Sequence, residues 1–169
     1  AEERGACPDA EEYGFKERFS NKTAIAPTAS ISIICGGASP GVEPIAANSY
    51  THKTLSGSYN VRNRYLKKIL QKYKKDDDET WSSITTNQGS VRHLNFLTDN
   101  EKDVFKTAFE LDQKWIIELG ADRTTYVSQA QSINIFLPAD VHKKELHQIH
   151  FQAWKKGLKS SYYCRSKSI

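Results

Sequence analysis

Helical and extended patterns alternate along the second half of the chain, and this order is compatible with few folds. The sequence predicts a helix over 99–119, a strand over 132–137, a second helix over 141–156 and a last strand over 160–165. Such alternation is typical of α/β proteins with parallel strands. Parallel strands need both faces of the sheet covered, and few strands are visible here. We therefore expect one segment, spanning residues 1–169, that completes a sheet or barrel built mostly by other residues.

Both predicted helices carry start and stop signals. Thr98 precedes the first helix with Glu101 three residues later, which forms a capping box, and Gly120 marks its end. The second helix is expected to begin after Asp140 and to end at Gly157. Spacing predicts that the following apolar residues face a core: Val104, Phe105, Ala108, Trp115, Ile116 and Leu119 on the first helix, and Leu146, Ile149, Ala153 and Trp154 on the second.

The first half of the chain is less regular. A short β-prone run covers 22–26, and a loop rich in glycine and proline covers 36–41. Apolar spacing predicts a helix over 61–75 and a shorter one over 80–87. Residues 1–21 are polar, and we assign them no role.

Composition excludes several classes of protein. Hydrophobic residues make up 38% and charged residues 26%, which is typical of a globular domain. The longest apolar stretches fall far below the roughly 20 residues of a membrane span. Cys7, Cys35 and Cys164 are an odd number without a Cys-x-x-Cys pair, which argues against a disulfide framework and a zinc site. We expect a reducing, cytoplasmic setting.

The net charge of +4 permits anionic partners but does not require nucleic acid. Much of the basicity lies in 64–75, and the acidic run 76–79 follows directly and neutralises it. One interpretation is a stand-alone α/β module that binds phosphate or nucleic acid through the basic helix and exposed tyrosines. The neutralising run and the incomplete sheet both disfavour it.

The segment Pro27, Thr28, Ala29, Ser30 and Ile31 could hold a phosphate. Its small side chains let backbone N–H groups approach an anion, its two hydroxyls add donors, and a helix N-terminus favours negative charge. Spacing alone leaves an ordinary capped turn as the commoner alternative.

Tyr162 and Tyr163 could pass an electron and a proton if their rings lie close together. Neighbours in a regular strand point to opposite faces, so a stacked pair requires a local bend. His147 and His150 can share a helix face, but no carboxylate completes a metal-binding motif, and we expect no metal site. Cys164 is expected to be a buried or half-buried strand cysteine.

Six motifs in this order and spacing resemble the large subunit of class I ribonucleotide reductases. They are Thr-Ala-Ile-Ala-Pro-Thr-Ala-Ser at 23–30, Gly-Val-Glu-Pro at 41–44, Asn-Ser-Tyr-Thr-His-Lys-Thr-Leu-Ser-Gly at 48–57, Ser-Gln-Ala-Gln-Ser-Ile-Asn-Ile at 128–135, Trp-Lys-Lys-Gly-Leu-Lys at 154–159, and Tyr162-Tyr163. Each motif is weak alone, and their common register makes the resemblance specific.

The resemblance implies a ten-stranded α/β barrel in which ribonucleotides are reduced to deoxyribonucleotides by a cysteine thiyl radical. It implies that Pro27, Thr28, Ala29, Ser30 and Ile31 bind the substrate's phosphates. It also implies that Tyr162 and Tyr163 end a radical relay from a small, metal-containing subunit. Two stretches, 129–135 and 160–165, would be barrel strands.

The resemblance further implies that essential parts lie outside this chain. None of Cys7, Cys35 or Cys164 matches the family's reactive cysteines, and the chain does not begin with Met. We expect the C-terminal part of a larger subunit that is inactive alone and binds no cofactor itself. Its expected partners are the N-terminal remainder, the small subunit with its metal and radical, and a ribonucleotide, while ATP or deoxynucleotide effectors bind elsewhere.

Overall fold

The computed structural model describes residues 1–19 and 21–167. Its helices are α1 (Pro8–Glu12), α2 (Ala29–Ile34), α3 (Arg64–Lys72), α4 (Asp78–Thr86), α5 (Asp99–Val104), α6 (Gln113–Thr124) and α7 (Lys143–Lys155), with a 3-10 turn at Ala108–Glu110. Its strands are β1 (Ser49–Thr54), β2 (Gly57–Arg62), β3 (Ile135–Leu137) and β4 (Cys164–Ser166).

Three parallel segments form the sheet of the second half. Strands β3 and β4 pair in parallel, and an isolated parallel bridge joins Ile25 to Gln131. The central segment, 129–137, uses opposite edges for its two neighbours: Ser132 N–H donates to Ile25 O (2.9 Å), whereas Ile133 O accepts from Tyr162 N–H (2.8 Å). The parallel α/β prediction is confirmed. Over the described residues the sheet stays open and does not close into a barrel.

Two hydrophobic cores hold these elements. Helices α6 and α7 cover one face of the central segment, where Ile133, Ile135 and Leu137 meet Ile117 and Ile149. The second core joins α3 and α4 to the segment that follows α4. It consists of Leu66, Leu70, Trp81, Ile84, Val91, Leu94, Leu97 and Phe105.

An antiparallel hairpin, β1 with β2, precedes α3 and was absent from the sequence-based prediction. Its strands are almost entirely exposed, so they lack the apolar alternation by which a half-buried strand is recognised. The helix predicted from residue 61 begins instead at Arg64, because the Asn63 side chain accepts from the Tyr65 and Leu66 N–H groups and caps it.

The single helix predicted over 99–119 was wrong, since the chain forms α5, the 3-10 turn and α6. The capping box of Thr98 and Glu101 is present, but Thr107 and Asp112 each cap a new start. Each new start rotates the apolar stripe. As a result Phe105, Ala108 and Ile116 are buried, whereas the residues predicted to be inward at Val104, Trp115 and Leu119 are exposed.

Gly120 does not end α6, which continues to Thr124. A Cβ at Gly120 would lie 2.6 Å from Ile133 Cδ1, so the glycine lets α6 approach the sheet closely. Its signal in the sequence therefore reflects packing and not a helix end.

Helix α7 begins after His142 and not after Asp140, and Gly157 follows its end with a positive φ as predicted. Leu146, Ile149 and Ala153 face the core, but Trp154 is exposed. The strands are shorter than predicted. Regular pairing of the last strand starts at Cys164, and the run 22–26 forms only one bridge among the described residues. None of the helices described is long and apolar enough to cross a membrane.

Candidate functional site

The central segment presents a second face, away from α6 and α7. Because side chains alternate along a strand, Ser132, Asn134 and Phe136 point to the side opposite Ile133 and Ile135. On this face Phe136 meets Phe109 edge to face at 5.2 Å between ring centroids, and the Asn134 amide binds Glu43. We call it the inner face.

The predicted phosphate loop and the tyrosine pair flank this segment at the same level. Ile25 bridges to Gln131, so Pro27, two residues later, lies level with Ile133. On the opposite edge of the central segment, the Tyr162 N–H donates a hydrogen bond to Ile133 O. Neighbouring strands lie about 4.8 Å apart, which separates the backbones of the two motifs by roughly 10 Å.

Thr28 starts helix α2 without capping it. Its N–H and its hydroxyl both donate to the Pro40 carbonyl, at 3.0 and 2.8 Å, and its side chain makes no capping bond to the helix. The first N–H groups of a helix have no partner within the helix. The Thr28 hydroxyl therefore does not bond to the first N–H groups of α2. In an ordinary capped turn the hydroxyl would accept one of those N–H groups.

Tyr162 and Tyr163 form a close pair. Their ring centroids lie 4.1 Å apart with planes tilted by 54°, and both rings are about half exposed. In regular parallel pairing one residue supplies both the N–H and the carbonyl between two partner residues. Here Tyr162 donates to Ile133 O, whereas Tyr163 O accepts from Ile135 N–H.

The two bonds of one strand position are thus divided between two residues, as in a β-bulge. This bulge is the bend that a stacked pair requires, and it lies just before β4 begins. The two tyrosine side chains therefore do not point to opposite faces, as neighbours in a regular strand would.

The pKa of the Tyr162 phenol is raised, first by hydrogen bonding with Tyr163 and then by electrostatic interaction with it. Arg165 acts in the opposite direction, and its guanidinium lies over the Tyr163 ring, 5.5 Å from the centroid. The raised pKa favours the protonated form of the Tyr162 phenol.

A buried carboxylate faces the centre of the inner face. Glu43 is 4% exposed and accepts a hydrogen bond from the Asn134 amide, which is 8% exposed. Glu43 Oε2 and Asn134 Oδ1 are both inaccessible to solvent and have no partner. Gly41 makes room for the carboxylate, since a Cβ there would lie 2.7 Å from its oxygens.

Glu43 and Asn134 lie within two of the six motifs, but the sequence alone predicted no role for either residue. The available signal was a charged residue between glycine and proline, in a segment otherwise without charge. Such a residue is read as a solvated loop side chain unless the fold shows it buried.

The cysteines and histidines of the chain have surroundings of their own. Cys164 is exposed in β4, so the prediction of a buried or half-buried cysteine was wrong, and Cys35 is exposed as well. The His147 ring stacks on Phe151, and His150 Nδ1 lies 2.8 Å from Leu146 O. Within residues 1–19 and 21–167, no group of three or more potential metal ligands is found.

The basic helix α3 is tied to the acidic run that follows it. Arg62 pairs with Asp78 at 2.8 Å, and Asp76 accepts from Gln71 and from the Trp81 indole. The acidic run thus contacts Arg62 of β2 and Gln71 of α3 in three dimensions.

Comparisons with known proteins show the family to which the chain belongs. The family described as the ribonucleotide reductase barrel domain matches residues 6–164. The ribonucleoside-diphosphate reductase large subunit of Invertebrate iridescent virus 6 is 53% identical over 98% of this chain, and that of Invertebrate iridescent virus 3 is 45% identical over 98%. The chain spans only 18% and 26% of the length of those two proteins.

A solved structure is similar over almost the whole chain. The class Id ribonucleotide reductase alpha subunit of Actinobacillus ureae superposes with a TM-score of 0.83 at 40% identity. The match covers 99% of this chain and 30% of that subunit.

Proposed function

Since the chain belongs to the family of ribonucleotide reductase barrel domains, we propose that it supplies two parts of a ribonucleoside-diphosphate reductase. The first is a loop that holds the substrate's phosphates, and the second is a tyrosine pair that passes a radical toward the substrate. The observation that carries the proposal is the tyrosine pair itself, with rings 4.1 Å apart in a bulge level with the loop.

The loop residues Pro27, Thr28, Ala29, Ser30 and Ile31 are suited to an anion. Thr28 is fixed to the Pro40 carbonyl, which leaves the first amides of α2 free for an anion. A phosphate held there fixes one end of a nucleotide and presents its ribose in one pose. Positioning of this kind can lower a barrier by several kcal/mol.

The tyrosine pair exchanges one electron and one proton. A phenoxyl radical on one tyrosine takes a hydrogen atom from the hydroxyl of the other, which regenerates the first phenol and moves the radical to the second tyrosine. The second tyrosine then takes a hydrogen atom from a cysteine thiol, leaving a thiyl radical. That cysteine is supplied by the rest of the subunit, because Cys7, Cys35 and Cys164 do not match the family's reactive cysteines.

The proposal extends to partners and location. The open sheet pairs with the remainder of the large subunit and so completes the barrel. A small subunit with a metal and radical cofactor starts the relay, ATP or deoxynucleotide effectors bind outside this chain, and the assembly works in the cytoplasm. This chain alone holds no cofactor and is inactive. No observation specifically favours the alternative of a stand-alone nucleic-acid-binding module.

Reconstitution tests the proposal. The chain is combined with the upstream part of the large subunit and with the small subunit, and deoxynucleotide formation is measured with and without it. We expect product only when the chain is present. Salt-sensitive nucleic-acid binding by the chain, with no effect on product, would instead support the alternative.

Tyr162→Phe is the informative variant in this assay. The ring and its packing remain, but the hydroxyl that carries the proton is lost, so we expect turnover to fall at least about a thousandfold with the fold intact. Tyr126→Phe is the matched control, because Tyr126 is 83% exposed and outside the pair. Normal turnover by Tyr162→Phe would refute the relay.

A further inference from the structure

The buried pair of Glu43 and Asn134 lies between the phosphate loop and the tyrosines, and the proposed function does not use it. We propose that Glu43 is a positioning residue that holds the phosphate loop on the central segment through Asn134. The inference rests on the proposed function, because it assumes that the loop binds the substrate's phosphates.

A continuous series of contacts joins the sheet to the loop. Asn134 lies on the central segment and donates to Glu43. The Ser39 hydroxyl donates to the Glu43 carbonyl, and the Gly41 N–H donates to the Ser39 hydroxyl at 3.4 Å. These bonds shape the turn that contains Pro40.

The Pro40 carbonyl is the final link. It accepts both the N–H and the hydroxyl of Thr28, the residue from which helix α2 starts. Displacement of the Glu43 side chain from Asn134 would therefore move the carbonyl that sets the position of the loop.

Glu43 acts through this loop and not by touching substrate. Its Oε2 and Asn134 Oδ1 are inaccessible to solvent, so a nucleotide on the inner face does not reach them in this arrangement. A buried polar atom without a partner is costly, by about 1–3 kcal/mol. The pair is thus a poor device for stability alone, which favours a positioning role.

The two atoms without a partner, Glu43 Oε2 and Asn134 Oδ1, suggest a substitution that separates positioning from chemistry. Glutamine at position 43 can accept from the Asn134 amide through its oxygen and donate from its own nitrogen to Asn134 Oδ1. Glu43→Gln therefore preserves the tether, whereas Glu43→Ala removes it. If the charge of Glu43 took part in the chemistry, the glutamine variant would instead lose turnover.

The experiment uses the complete large subunit that contains this chain, assembled with its small subunit, and ribonucleoside diphosphates as substrates. For Glu43→Ala we expect KM to rise about tenfold or more while kcat stays within about threefold. For Glu43→Gln we expect KM close to that of the wild type. Gln113→Ala is the matched control, since this buried amide binds Ala108 O, Leu111 O and Phe136 N–H but not the 39–43 turn.

Amide hydrogen exchange provides a readout besides activity. In Glu43→Ala the amides of Thr28 and Ser32 should exchange at least about tenfold faster than in the wild type, with no such change in Glu43→Gln. Unchanged exchange and unchanged KM in Glu43→Ala would overturn the inference, as would lost turnover in Glu43→Gln. Faster exchange with unchanged KM would keep the tether and overturn the phosphate role of the loop.

Discussion

Residues of similar chemistry serve different purposes on the two faces of the central segment. The Gln131 amide faces the helices, where it donates to Gly120 O (2.7 Å) and to Thr124 Oγ1 (2.9 Å) and accepts from Arg123. The Asn134 amide faces the opposite side and binds only Glu43 among the described residues. The Gln131 amide has a partner for both its nitrogen and its oxygen, and it stabilises the contact with α6. Asn134 Oδ1 and Glu43 Oε2 have no partner, and they lie on the side of the candidate site.

Glu110 shows how one carboxylate can stabilise its own turn and join it to a second segment. Its Oε1 accepts from Ser90 Oγ (2.6 Å) and its Oε2 from Thr107 N–H (2.8 Å), and Arg92 lies 3.7 Å away. Burial acts to raise the pKa of Glu110, but the hydrogen bonds from Ser90 and Thr107 outweigh it and hold the pKa below its ordinary value of 4.5.

Glu110→Gln should therefore destabilise the fold by about 1–2 kcal/mol at pH 7, because glutamine has one acceptor oxygen in place of two. A lowered folded-state pKa contributes stability that is present above about 4.5 and is lost as the pH falls through the folded-state value. The difference in unfolding free energy between wild type and variant should thus shrink below pH 4.5. Denaturant unfolding of the large subunit at several pH values measures it, and a difference that grows in acid would contradict the assignment.

At the scale of elements, caps and close contacts divide the chain where apolar periodicity does not. Periodicity predicted one helix over 99–119, but the caps at Thr107 and Asp112 divide it into three pieces. The hairpin was missed because its exposed strands give no apolar pattern. Both Gly120 and Gly157 were predicted to end a helix, but only Gly157 follows a helix end, whereas Gly120 lies within α6.

Gly89→Ala should destabilise the packing of α4 against the segment before β1. Gly89 is buried at φ +81, and a Cβ there would lie 2.3 Å from Ala47 Cβ and 2.8 Å from Asn48 N. Strain and overpacking together should cost about 2–4 kcal/mol.

Gly157→Ala is the matched control for this prediction. Gly157 has a similar φ of +78 with nothing within 4 Å of an added Cβ, so it should show only the backbone cost of about 1–2 kcal/mol. The thermal unfolding midpoints of both variants provide the comparison, and equal losses would show that the contact at Ala47 is unimportant.

At the scale of the whole molecule, the described part of the chain leaves strand edges and apolar side chains uncovered. Both edges of the three-segment sheet end without pairing among the described residues, and Ile31, Ile33 and Ile34 of α2 are 57%, 57% and 84% exposed. Large apolar side chains and open strand edges of this kind promote association.

We therefore expect the isolated chain to be poorly folded or to aggregate. Size-exclusion chromatography with light scattering, together with a thermal melt, measures this directly. Co-expression with the upstream part of the large subunit should yield a soluble complex. A monomeric chain with a cooperative melt would contradict the idea that its sheet is completed elsewhere.

Local sequence determined several features of this protein. The alternation of helix and strand, the capping box at Thr98, the end of α7 at Gly157 and the six motifs follow from periodicity and from short-range hydrogen bonds, which adjacent residues specify by themselves. The α/β class and the family could therefore be inferred without a structure, and both are confirmed.

Only the tertiary structure decided what these motifs form together. The bulge that stacks Tyr162 on Tyr163 depends on which bonds the central segment offers, and the burial of Glu43 depends on Asn134, 91 positions away. The level alignment of the phosphate loop with the tyrosines is set by strand register, which involves residues more than 100 positions apart. No local pattern encodes such contacts, because their free energy arises only when distant segments meet.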